Sequence, residues 1–376
     1  MMSENKNKYF EIKDLAVGYN GKVLIDEINF SLQRGEILTL IGPNGSGKST
    51  ILKSITGHLA TISGEVFLDG TSLRKMERKT RATKMSVVLT DRITPELMTV
   101  YDVVASARYP YTNSFGMLTA KDKAIVDECI EKVGIREFAN KDFSEISDGQ
   151  RQKAMLARAI CQMPEIIILD EPTSFLDIKH KIELLSILSS MAKEKNIAVI
   201  MSLHEIDIAS KVSDYIALIK GDKIEKVGAP DEIFKGDTIA KLYDMKSGSY
   251  NMTFGSVELA MPVGEAKVFV YCSAGSGISA FRHLQKAGIA FSCGLLWENE
   301  SAFEIATALS NNIASVKAFS PIGKIDIEKC KALVDSCEYF LDTNPEIGEM
   351  NGEICEILRY AKEKNKKIIT KVAEIL

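Results

Sequence analysis

The sequence predicts an α/β protein made of two successive domains, and three observations carry that expectation. Its 376 residues exceed what one core usually organises, at about 150 residues per domain. Across the first two thirds, short β-branched runs alternate with longer amphipathic ones, the order that builds a largely parallel sheet covered by helices. Around Lys246 to Ala266 the pattern loosens into a stretch rich in Gly and Ser and carrying a proline, and a second alternation then begins. The expected boundaries are residues 1–246 for the first domain, 247–264 for a linker and 265–376 for the second domain.

The strands expected in the first domain are Tyr9 to Leu15, Glu36 to Ile41, Met85 to Leu89, Ile166 to Asp170, Ile197 to Leu203 and Tyr215 to Lys220. Each is a short run dominated by Ile, Val, Leu or Met. The expected helices are Ser49 to Thr56, Asp122 to Val133, Gln150 to Cys161, Lys179 to Lys195 and Glu205 to Val212. The last of these opens on acidic residues, as the helix dipole favours. In the second domain, strands Lys267 to Tyr271, Ile289 to Leu295, Ser315 to Phe319, Glu338 to Asp342 and Lys366 to Thr370 alternate with four helices. The helices are Ile278 to Ala287, Ser301 to Asn311, Asp326 to Ser336 and Glu349 to Lys364, which together suggest a small Rossmann-like domain. The two halves are not copies of one another.

Composition narrows the class. Apolar residues at 45% and charged residues at 26% exclude a disordered or collagen-like chain. A formal charge of −4 gives no global attraction to nucleic acid or an anionic bilayer. Apolar runs such as Ile166 to Leu169 fall far short of the roughly 18 to 20 residues that span a membrane. The amino-terminal MMSENKNKYF has no apolar block behind its lysines, so no secretory signal is expected there and the default location is the cytosol. Seven cysteines, an odd number with no Cys-x-x-Cys pair, are expected to be reduced thiols rather than disulfides or zinc ligands.

Gly42-Pro43-Asn44-Gly45-Ser46-Gly47-Lys48-Ser49-Thr50 follows an expected strand and opens an expected helix, the context in which this pattern cradles phosphate. The glycines let backbone N–H groups turn inward, where they and the helix N-terminus meet an anion. Lys48 adds a point charge for the β- and γ-phosphates, and the Ser49 hydroxyl is a natural magnesium ligand. Ile166-Ile-Ile-Leu-Asp-Glu171 is a buried-strand run delivering two carboxylates to the strand's carboxyl end, where α/β sheets bind ligands. Asp170 suits the magnesium shell, and Glu171 can deprotonate an attacking water.

Those two motifs leave kinases, GTPases, recombinases and transporters open. Ile146-Ser-Asp-Gly-Gln150, just before a helix and upstream of Asp170, separates them, because it resembles the Leu-Ser-Gly-Gly-Gln signature of the ATP-binding cassette (ABC) family. Ile146 replaces Leu and Asp148 replaces the first Gly, while Ser147, Gly149 and Gln150 match. Taken alone the pattern also reads as a helix cap. The resemblance implies a P-loop NTPase fold of the ABC type, with antiparallel β and helical subdomains. It further implies that ATP is sandwiched between Ser147 and Gly149 of one copy and the phosphate loop of a second copy. Tyr19 matches the ring that stacks on adenine, Asp177 in Ser174-Phe-Leu-Asp177 matches the loop coupling the two sites, and His204 matches the histidine at the γ-phosphate.

One position departs from the family. The usual glutamine after the strand Met85 to Leu89 is replaced by Thr90, a shorter group still able to bond a metal-bound water. The run Val-Ala-Ser-Ala-Arg-Tyr-Pro-Tyr-Thr within Thr94 to Lys121, together with the stretch from Glu171 to His180, resembles the importer branch serving iron-siderophores, haem and vitamin B12. Tyr109, Pro110 and Tyr111 are then candidates for a permease groove, or an aromatic loop packing on its own domain. The partners implied are transmembrane permease subunits, a second copy, and an extracytoplasmic substrate-binding protein through the complex. Six basic residues in Arg74 to Lys84 read as a solvated helix face, so no nucleic-acid partner is expected. The alternative is a soluble ABC-type ATPase of translation or repair, which usually carries two cassettes or long coiled-coil insertions.

The second domain is less explicit. Val270-Tyr-Cys-Ser-Ala-Gly-Ser-Gly277 ends a strand and opens a helix but lacks the full dinucleotide fingerprint. A small-molecule sensor and a dimerisation or stability module both fit. Cys272, Cys293 and His283 show no metal-ligand spacing.

Overall fold

The computed structural model describes residues 8–90, 95, 97–113, 115–251, 253–310 and 312–375. Positions 1–7 of the amino-terminal segment, Thr94 and Asn311 lie outside the described residues. Contacts divide the chain into two units, Met1–Tyr243 and Asp244–Leu376.

The first unit opens with β1 (Phe10–Tyr19), β2 (Lys22–Leu32), β3 (Ile37–Ile41), α1 (Lys48–Ile55), β4 (Ser63–Leu68) and β5 (Thr71–Ser72). It continues with α2 (Arg78–Lys84), β6 (Met85–Val88), α3 (Val100–Ala105), α4 (Ala120–Lys132), α5 (Asp148–Cys161) and β7 (Ile166–Leu169). Then come α6 (Ile178–Lys195), β8 (Ala198–Ser202), α7 (Ile206–Val212), β9 (Tyr215–Lys220), β10 (Lys223–Gly228), α8 (Pro230–Ile233) and α9 (Thr238–Leu242). The sheet order is β5-β4-β1-β2-β10-β9-β3-β8-β7-β6. Its β9-β3-β8-β7-β6 half is parallel, and β1 pairs antiparallel with β2 and β4.

Local chemistry explains the layout. Every residue of β3, β7 and β8 is buried, as expected of parallel strands covered on both faces. The expected first strand extends to Tyr19 and returns as β2, because Asn20 and Gly21 take φ of 50° and 75°, the left-handed pair that closes a tight hairpin. Helices α3, α4 and α5 each start on a capping box, Thr99 with Asp102, Thr119 with Asp122 and Ser147 with Gln150, which satisfies amides left open at a helix start. A core around Phe10, Leu15, Ile28, Leu40, Leu52 and Ile168 joins β1 and β2 to the parallel strands.

The second unit starts with a short antiparallel pair, β11 (Ser249–Asn251) and β12 (Ser256–Glu258), inside the segment expected to be a linker. Glu258 is buried and bonds Arg282 at 2.6 Å, which fastens this ribbon to the rest of the unit. There follow β13 (Val268–Tyr271), α10 (Ile278–Lys286), β14 (Phe291–Trp297), α11 (Ser301–Leu309), β15 (Asn312–Val316), α12 (Lys324–Ser336), β16 (Tyr339–Asp342), α13 (Cys355–Glu363) and β17 (Lys367–Ile369). All five of these strands are parallel, in the order β15-β14-β13-β16-β17. Two clusters, around Phe281 and Ile305 on one face and Phe340 and Ile357 on the other, cover the sheet.

Two expectations shift here. The strand expected at Ser315 to Phe319 ends at Val316, because Phe319 turns left-handed at φ 58° and is 88% exposed. The helix expected from Glu349 begins at Cys355 after a 3-10 turn over Gly352–Ile354. Asn351 there donates to Glu346 O and accepts from Gly348 N, holding the preceding loop closed.

Candidate functional site

The phosphate loop links β3 to α1. Gly42 and Gly47 are required sterically: a Cβ at Gly42 would lie 2.4 Å from Ile219 O, and Gly47 sits at φ 90° with Ile25 Cδ1 2.5 Å from the same point. Gly45 also has positive φ, which only glycine adopts cheaply. Lys48, 5% exposed, donates to Gly42 O at 2.8 Å and Pro43 O at 3.0 Å. Burial pulls its pKa below the ordinary lysine value, while Glu171 and Asp170 oppose that shift. Ser46 Oγ is buried without a hydrogen-bond partner, an unsatisfied polar group within the loop. Asn44 is exposed, Ser49 lies in the first turn of α1, and the Tyr19 hydroxyl lies 3.2 Å from Thr50 Oγ1 with the ring half exposed.

Asp170 and Glu171 emerge from β7 between β6 and β8. Asp170 is buried; its Oδ1 accepts from Ser202 Oγ at 2.7 Å and its Oδ2 from Thr90 Oγ1 at 3.0 Å. Glu171 takes φ 48°, a conformation costing about 1–3 kcal/mol that clusters at functional positions. Its N–H donates to Ser202 Oγ at 2.9 Å, its Oε2 accepts from Ser174 Oγ at 3.1 Å, and its Oε1 meets His204 Nε2 at 2.6 Å. A cavity of about 260 Å³, lined among others by Thr90, Asp148, Gln152, Asp170, Glu171 and Ser174, opens beside them. Sequence reasoning passed over Ser202, which braces both acids; its signal was a hydroxyl ending the otherwise apolar run Ala198 to Met201.

Two of the remaining expected residues cap helices. Ser147 caps α5, with Gln150 N donating to its Oγ at 3.3 Å and its own N–H donating to Gln150 Oε1 at 3.0 Å. Asp177 caps α6, accepting from His180 N at 2.9 Å, and that bond first, with the nearby imidazole, holds its carboxyl below the usual range. Tyr111 packs on its own domain: its ring lies 4.0 Å from the Arg108 guanidinium and its hydroxyl donates to Gln162 O. Tyr109 is 76% exposed.

Residues 25–174 match the ABC transporter family model. With the phosphate loop, the acid pair and its histidine assembled at the carboxyl end of one sheet, the chain belongs to the ATP-binding proteins of ABC transporters, and its first unit is an ATP-binding, ATP-hydrolysing cassette. The chain is 46% identical to the uncharacterized ABC transporter ATP-binding protein MJ0873 of Methanocaldococcus jannaschii over 275 residues, 73% of this chain and 95% of that one. It is 34% identical to the iron(3+)-hydroxamate import ATP-binding protein FhuC of Bacillus subtilis, over 62% of this chain and 87% of that one. The cobalamin import ATP-binding protein BtuD of Halobacterium salinarum is 28% identical over 82% of this chain and 79% of its own. That span exceeds what the first unit supplies, so the likeness runs into the second unit. Residues 291–374 match the MJ0874 family.

Among the described residues no helix is long and apolar enough to cross a membrane.

Proposed function

We propose that the chain energises an importer of metal-chelate cargo, a ferric siderophore or a corrinoid, from the cytoplasmic face of the membrane. The observation that carries the ATPase half of this reading is the Glu171–His204 contact of 2.6 Å at the end of the strand following the signature helix. The cargo class is supported by the named transport roles of the FhuC and BtuD relatives. Permease subunits supply the membrane path, and a substrate-binding protein outside the membrane delivers cargo to them.

Each residue then has a task. Backbone amides of 42–50, the Ser46 hydroxyl and Lys48 hold the phosphates, and Tyr19 stacks on the adenine ring. Ser49 and Asp170 offer the hard oxygen donors that suit magnesium, which when bound offsets phosphate charge. Thr90 keeps Asp170 oriented through its hydroxyl. Glu171 accepts a proton from the attacking water, and His204 fixes the carboxylate and faces the γ-phosphate. Ser147, Gly149 and Gln150 face the nucleotide of a second copy, with Asp177 coupling the two sites. Gly149 supports this: a Cβ there would meet nothing in its own chain closer than Leu176 Cδ2 at 3.5 Å, so its own fold does not demand glycine.

Co-purification with the membrane partner, followed by ATPase assays with ferric siderophore, haem and cobalamin cargo, tests the reading. Stimulation by a ferric siderophore or a corrinoid is expected; ATPase activity unchanged by every cargo in the reconstituted complex would overturn it.

A further inference from the structure

We propose that the second unit binds an organic phosphate, a small molecule with an apolar body and a phosphomonoester group, in a crevice at the carboxyl end of its sheet. This concerns residues 244–376 and does not rest on the cargo reading. The strand order β15-β14-β13-β16-β17 places consecutive crossovers on opposite faces at β13 and β16. Loops leaving those two strands therefore diverge, and a crevice opens between them, where α/β sheets take ligands.

The crevice is present. A cavity of about 430 Å³ is bounded by the first turns of α10, the ends of β16 and β17, and the carboxyl-terminal turn Val372–Ile375. That size suits a small organic ligand. Its lining divides by chemistry. Ala280, Leu341, Val372 and Ala373 form an apolar wall, while Ser276, Ser279, Thr343 and Thr370 contribute hydroxyls and His283 and Lys371 contribute nitrogen groups.

The polar side combines groups tied to the strand ends with a few free donors. Thr343 Oγ1 donates to Tyr271 O at 2.8 Å, which leaves it an acceptor toward Ser276 Oγ at 2.8 Å, so these hydroxyls are tied to the strand ends. His283 Nδ1 donates to Ser279 O at 2.8 Å, which fixes the ring beside the crevice. Lys371 lies within electrostatic reach of Glu374 but its ammonium makes no close ion pair among the described residues, and no carboxylate lines the cavity. The adjacent Glu374 accepts at Oε1 from Thr370 N at 2.9 Å, Lys371 N at 2.8 Å and Thr370 Oγ1 at 3.2 Å, which takes the Thr370 hydroxyl proton and leaves Ser279 as the hydroxyl with one to give. Gly277 is the N-cap of α10 and supplies no side-chain bond; Ile278 N donates to Gly275 O, and the following first-turn amides are left open beside Ser279. The Ser279 hydroxyl, the Lys371 ammonium and the helix amides are donors at one end of an apolar slot, and together they match a phosphate carried on an apolar body.

Calorimetric titration of the full chain tests this with phenyl phosphate, inorganic phosphate and phenol as probes. Saturable one-to-one binding of phenyl phosphate is expected, at least tenfold tighter than either phosphate or phenol. Lys48→Ala, which disables the cassette's phosphate loop, leaves it unchanged. Lys371→Glu and Ser279→Asp weaken it at least tenfold; both positions are exposed, and an acidic residue is favourable in the first turn of a helix, so both variants fold. Absence of saturable binding overturns the proposal, as does binding lost in Lys48→Ala but kept in the two acidic variants. Equal affinity for phosphate and phenyl phosphate overturns the organic ligand.

Discussion

His204 Nε2 lies 2.6 Å from Glu171 Oε1, while the other oxygen of the same carboxylate accepts from Ser174 Oγ at 3.1 Å. Both oxygens of the proposed base are therefore aimed before any substrate arrives. The backbone is aimed as well, since Glu171 holds φ 48° and its amide is bound to Ser202 Oγ. Preorganisation of this kind lowers the cost of reaching the transition state.

Glu171→Gln retains the shape and most of these hydrogen bonds but removes the proton acceptor. Steady-state ATPase activity falls by about 100-fold or more, the range attributed to a positioned general base. ATP binding and ATP-dependent dimerisation, read by light scattering, persist. Near-normal turnover in that variant would remove Glu171 from its role.

Thr90 is a subtler test, because its hydroxyl donates to Asp170 Oδ2 at 3.0 Å. Thr90→Ala removes one bond to a buried carboxylate, about 1.5 kcal/mol, which corresponds to roughly a tenfold loss if the interaction acts in the transition state. Thr90→Ser keeps the donor and restores the rate. An Ala variant with unchanged turnover and unchanged magnesium dependence would reduce Thr90 to a packing residue.

Residues 42–50 and 166–171 were legible in sequence because their chemistry is local: a loop between strand and helix, and an apolar strand ending in acids. Asn20-Gly21 carried a hairpin signal as clear as either, yet β2 went unread because its polar face breaks the apolar run. Ser202 was illegible for a different reason. Its work depends on β7 and β8 pairing side by side, and Ile168 opposite Ile200 is a tertiary fact that no local pattern prints. Tyr111 shows the same limit, since only packing reveals that it lies on Arg108 rather than standing free as Tyr109 does.

The Arg108–Asp122 pair is a stability element beneath those tyrosines. Arg108 Nε lies 3.0 Å from Asp122 Oδ1 with both residues nearly inaccessible, and Arg108 Nη1 also donates to Cys161 O. Asp122→Ala strands the guanidinium, costing about 3 kcal/mol, and lowers the thermal midpoint by roughly 6 °C or more for a unit of this size. Hydrogen bonds from Thr119 first, then Arg108, hold the Asp122 carboxyl below the usual carboxylate range against the opposing effect of burial. Its contribution is thus complete above about pH 4, the ordinary aspartate value, and is lost as pH falls through the depressed one. Thermal melts from pH 7 downward should show the wild-type advantage over Asp122→Ala shrinking only below about pH 4.

Separate cores predict separable units. The first unit's core draws on strands β1 to β4 and β6 to β9, whereas the second has its own clusters around Phe281 and Phe340. The β11–β12 ribbon belongs with the second, held by Glu258 on Arg282, so the cut belongs at Tyr243 and Asp244 rather than after the ribbon. A chain ending at Tyr243 keeps basal ATPase activity within about twofold, as expected when each domain owns its core. Residues 244–376 expressed alone give a cooperative thermal transition. Within that unit, a Cβ at Gly277 would lie 2.5 Å from Phe281 Cζ and 2.8 Å from Cys272 Sγ, so Gly277→Ala overpacks the β13–α10 turn by about 1–3 kcal/mol. In the full chain that variant should lower the second unit's transition while the ATPase rate holds. A loss of ATPase activity in parallel with the melting of that unit would show that the two units fold as one.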